Sequence, residues 1–161
     1  DKMNEVVAKR ACVFSLILGA IIGLISLIPQ AIGAMLFVLS FLSSAIVIFY
    51  MKRNEKHLGF LTNEQGAILG GLIGFFAGVG FFASFCPMVC ILHLIFKGYY
   101  SYAIPYMLND AMWLFFVVVL MVCFIFALTN SASGMGTSWI LGYIEKKPQN
   151  HDAQLDIEIN D

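Results

Sequence analysis

Charge is what this chain has least of. Only 12% of its 161 residues are Asp, Glu, Lys or Arg, about half the share of an ordinary soluble domain. Hydrophobic residues make up 60%, and the mean hydropathy is +0.87. Such a chain has too little polar surface to coat a globule, which excludes a water-soluble monomer and excludes disorder over most of its length. Nine basic and ten acidic residues leave a net charge of −1, with no basic stripe of the kind that reads phosphate, so nucleic acid is not a partner.

Metal and thiol chemistry is just as poorly provided for. The four cysteines are Cys12, Cys86, Cys90 and Cys123, with no C-x-x-C pair and no histidine at zinc-finger spacing. Cysteines placed in apolar runs read as small hydrophobes. One weak exception is Cys86, Cys90 and His93, a set of soft ligands that a break at Pro87 would allow to converge. Gly134-x-Gly136 is no phosphate loop, since it lacks the lysine. No Ser/His/acid or paired-carboxylate set can be assembled at one membrane depth, and no cofactor is implied.

Long apolar runs are what the chain does have. Ala11 to Met51 is 41 residues without a charge, about twice the roughly 20 that cross a bilayer. Lys9-Arg10 before it imitates a signal peptide, but the run is too long for one. Pro29-Gln30 lies near its middle, and a residue preceding proline is pushed out of the helical region, so the run predicts two spans, 11–28 and 31–51. A capping box, Thr62-x-x-Gln65, announces a third helix. The apolar stretch that follows, Gly66–Phe96, is 31 residues, more than one span and less than two. Pro87 favours a span over 66–86 and an interfacial segment over 88–107, where Tyr99, Tyr100, Tyr102 and Tyr106 gather as tyrosines do at headgroup level. Asn109-Asp110 is read as the N-cap of a fourth span over 111–128. Thr129–Gly136 reads as a loop or frayed end, 137–144 as a second interfacial segment around Trp139 and Tyr143, and 148–161 as an acidic, solvated cytoplasmic tail. The expected fold is therefore all-α, a polytopic membrane protein with four transmembrane helices in two hairpins over residues 1–147.

Orientation follows from the basic residues. With four spans, Lys2, Lys9, Arg10, Lys52, Arg53, Lys56, Lys146 and Lys147 share one side, and only Lys97 lies on the other. The positive-inside rule then places both termini in the cytoplasm, in the plasma (inner) membrane. No Asp, Glu, Lys or Arg falls within a span, which argues against ion-coupled pumping and intramembrane catalysis.

The sharpest pattern is a glycine row, Gly66, Gly70, Gly74 and Gly78, with a shorter one at Gly19 and Gly23. Spacing by four keeps such residues on nearly one face, and small residues are where membrane helices approach closely. The partner across that face is either internal or a second membrane protein, including another copy. Ser40, Ser43 and Ser44 read as packing filler or as the lining of a polar path. A weak repeat matches Ile17–Leu24 with Ile68–Phe75 at five of eight positions, as two parallel hairpins would. Together these predict a non-enzymatic membrane protein, an accessory or assembly subunit or a homo-oligomer packed through glycine. The alternatives are a small transporter or channel subunit for an uncharged or weakly polar solute, and a thiol-redox or soft-metal protein using Cys86, Cys90 and His93.

Overall fold

The computed structural model describes residues 5–54, 61–96 and 103–146, and every element among them is helical. They are α1 (Glu5–Ile25), α2 (Ile32–Phe37), a π-helical turn (Val38–Leu42), α3 (Ser43–Asn54), α4 (Asn63–Ile95), α5 (Ala103–Asp110) and α6 (Met112–Lys146). Four helices are long and apolar enough to cross a bilayer: α1, the run from Ile32 to Asn54, α4 and α6. The acidic tail, Lys97, Tyr99, Tyr100 and Tyr102 lie outside the described residues.

In the first described turns of α1, Glu5 and Lys9 pair across one turn at 2.7 Å on the exposed face. It leaves the α-helix before Pro29 through i→i+3 bonds, Leu27 N–H to the Leu24 carbonyl and Ile28 N–H to that of Ile25. The capping box forms as read: Thr62 Oγ1 accepts from Gln65 N–H, and Gln65 Oε1 accepts from Thr62 N–H, both at 3.2 Å.

Three boundaries differ from the sequence reading. α4 runs unbroken through Pro87 to Ile95, so 88–95 is not a separate interfacial segment. Proline removes one N–H from the ladder, and neighbouring helices let membrane helices tolerate that loss. α6 is a single helix of 35 residues, so neither a loop at 129–136 nor a separate segment at 137–144 exists. The small polar residues there bond back into their own helix: Thr129 Oγ1 to the Ile125 carbonyl at 3.1 Å, Thr137 Oγ1 to Ser133 at 2.8 Å and Ser138 Oγ to Met135 at 2.8 Å. Asn109 and Asp110 close α5 and do not open α6 by a cap; the Asn109 amide donates to the Asp110 carboxylate at 2.6 Å.

α4 sits between α1 and α6. It runs parallel to α1, as Ala77 meets Gly19 and Ser84 meets Gly23. It runs antiparallel to α6, as Gly66 meets Ser138 and Gly78 meets Cys123. The second span crosses this trio and carries Leu39, Val47, Ile48 and Met51 into the two apolar clusters of the core. The start of α1, the end of α3, the start of α4 and the end of α6 thus share one end of the bundle.

Candidate functional site

The glycines build the site by letting backbones meet. A Cβ placed on Gly74 would lie 2.6 Å from Asn130 Cβ and 2.9 Å from the Phe126 carbonyl carbon. One on Gly70 would lie 3.0 Å from the Gly134 Cα, and one on Gly66 would lie 2.8 Å from the Gly134 carbonyl oxygen. At Gly78 the neighbour is Cys123 Sγ at 3.0 Å. All four glycines of the row therefore face α6 of the same chain, and that face is closed to a second copy. Gly19 and Gly23 face α4 instead, with Ala77 C and the Phe81 carbonyl oxygen each 2.8 Å from the added carbon. Gly19 and Gly70 are equivalent in the internal repeat, yet they face different neighbours, so the repeat is not carried into equivalent packing.

Close approach along α6 brings Asn130 into the interior, where it is 0% exposed. Its amide lies against the π-helical turn. Nδ2 donates to the carbonyls of Leu39, Ser40 and Phe126, each at 2.9 Å. Two N–H groups serve three acceptors, so one bond is shared. Oδ1 accepts from Ser43 Oγ at 2.7 Å and from the Ser44 backbone N–H at 3.0 Å. One turn further along α6, Ser133 Oγ donates to the Phe41 carbonyl at 2.6 Å.

The π-turn explains why those backbone groups are on offer. An α-helix bonds each N–H to the carbonyl four residues back; a π-turn inserts one extra residue and leaves the ladder short at its edge. In a regular helix the Ser44 N–H would close directly on the Ser40 carbonyl. Here the Asn130 amide bridges that pair, accepting from one and donating to the other. Ser44 Oγ is buried with no hydrogen-bond partner. A helical serine ordinarily bonds the carbonyl four residues back, as Ser43 Oγ does to Leu39 at 2.9 Å; Ser44 Oγ makes no such bond to Ser40, whose carbonyl accepts from Asn130.

Of the three serines, then, Ser43 and Ser44 enter the knot by side chain or N–H and Ser40 by its carbonyl. Asn130 was missed because it stands in a stretch of small polar residues that reads as a loop. A signal was present: Asn130, Gly134 and Ser138 recur every four residues, the same period as the glycine row they meet.

Cys86, Cys90 and His93 fall on one stripe of the continuous α4, with Cys86 buried and the other two partly so. Among the described residues no group of three His, Cys, Asp or Glu side chains is placed to hold a metal ion. All four cysteines are free. The clefts between helices include an apolar groove of about 330 Å³ lined by Phe14, Leu18, Val47 and Tyr50. Another, of about 360 Å³, lies beside Cys86, Pro87, Leu108 and Phe116. Neither includes Asn130, Ser40, Ser43 or Ser44. No family model, curated protein or solved structure matches the chain.

Proposed function

We propose that this chain is a small integral membrane protein without catalytic chemistry of its own, acting as an accessory or assembly subunit in the plasma membrane with both termini in the cytoplasm. One observation carries the reading. The most polar interior side chain, Asn130, has both ends of its amide engaged within the chain. Side chains in that state serve to hold helices together, whereas a relay or a permeation path needs groups that exchange partners with a solute. The glycine seams support the same reading, since they face the chain's own helices, and any association with another subunit uses a different surface.

Native mass measurement of the protein extracted in mild detergent, with flux measured after reconstitution into liposomes, tests this. The expected result is a complex containing a different membrane protein, and liposomes no leakier than empty ones. A defined homo-oligomer that passes a particular uncharged solute would replace this reading with a transporter.

A further inference from the structure

We propose that the second span has two registers, and that the Asn130 side chain is the latch that holds the π-helical one. The two halves of that span are unequally fastened. α3 buries Ser43, Ser44, Val47, Ile48 and Met51, whereas α2 buries none of its residues. Gly33 in α2 has open space where a Cβ would be. The π-turn lies between the firm half and the loose half.

Two arrangements of the turn satisfy its backbone. In one, the extra residue is retained and the Asn130 amide fills the gap between Ser40 and Ser44. In the other, the turn closes as an α-helix, Ser44 N–H bonds Ser40 directly, and the amide is released. Removing one residue from the winding rotates everything beyond it by about 100° and moves it by about 1.5 Å along the axis. The less firmly held side, α2 and the 27–31 turn, is the part that turns, because α3 is held by the core while α2 leans on it through Met35. Whatever binds the rotated face of α2 would draw the population to the second register.

The experiment uses the full chain in nanodiscs, with spin-labelled non-natural residues at Gly33 and Gly136. Both positions have nothing within 4 Å of an added Cβ. Asn130→Leu keeps the bulk and removes the hydrogen bonds. The expected result is a displacement of the 33–136 distance distribution by several ångströms. Deleting Phe41, an exposed residue of the π-turn, removes the extra residue directly. It is expected to lower the melting temperature of the parent, where Asn130 loses its partners, and to raise that of Asn130→Leu. An unchanged distance in Asn130→Leu overturns the proposal. So does a deletion that harms Asn130→Leu as much as the parent. Should Asn130→Leu alone fail to fold, the double variant decides: folding supports the latch, and failure overturns it.

Discussion

Asn130 and the glycines of α4 hold the same seam by opposite means, one through hydrogen bonds and the others through the absence of a side chain. Asn130→Ala takes from the Ser44 N–H and the Ser40 carbonyl the partner they share in an apolar interior, while the Leu39 carbonyl keeps Ser43 Oγ. Interhelical hydrogen bonds in membranes average about 0.6 kcal/mol each, so losing the set is expected to cost about 2 kcal/mol, read by unfolding in detergent. A loss near zero would mean that the π-turn reseals without cost. Gly74→Leu is expected to be worse: its neighbours include Asn130 Cβ and the Phe126 backbone, and backbone cannot move aside. Loss of the folded bundle on size-exclusion chromatography checks it. Gly136 stands in the same helix as Asn130 but has open space around it. Alanine there should stabilise by roughly 0.5–1 kcal/mol, the usual penalty for glycine inside a helix. If both substitutions had the same effect, glycine count rather than position would be what matters.

At the scale of elements, what the sequence made legible was whatever depended on composition and local caps: four apolar spans, the break before Pro29, the box at Thr62. The continuity of α4 and α6 was not legible, for one physical reason. Pro87 and the stretch Thr129–Gly136 are poor helix formers in water, where a freed backbone group bonds to solvent. In an apolar interior the same group has no such outlet, so the chain keeps the helix and satisfies it with hydroxyls and neighbours. The π-turn was equally hidden, since nothing local in Val38–Leu42 distinguishes it; its cause is an amide 90 residues away. The glycine row showed that a close seam would form, while its partner had to be seen. Amide hydrogen exchange tests the continuity directly. Val89, Cys90 and Ile91 are expected to be as protected as Gly78 and Gly80, with no gap after Pro87. Fast exchange beginning at Met88 would restore the shorter span.

At the scale of the whole molecule, the proposed orientation rests on a few charges. Lys9 and Arg10 lie in the second turn of α1 as described, and Lys52 and Arg53 in the last turn of α3, two sites that the antiparallel hairpin brings to the same level. α4 and α6, with 33 and 35 residues, would measure about 50 Å at 1.5 Å per residue, well beyond a hydrocarbon core of about 30 Å. Tilt absorbs part of such a mismatch, and the remainder extends past the apolar slab. Helix length therefore does not set which end faces the cytoplasm, and the proposed orientation rests on the basic residues. A membrane-impermeant thiol reagent is expected to reach Tyr106→Cys from outside intact cells and Asn54→Cys only after the cytoplasmic face is opened, each read above the reaction of the parent chain. Replacing Lys9, Arg10, Lys52 and Arg53 together by glutamine removes half of the eight basic residues assigned to that side. The expected outcome is a mixed population in which both cysteines react partly from each face. A single unchanged orientation in the neutralised variant would show that the remaining lysines, or a partner met during insertion, carry the topology.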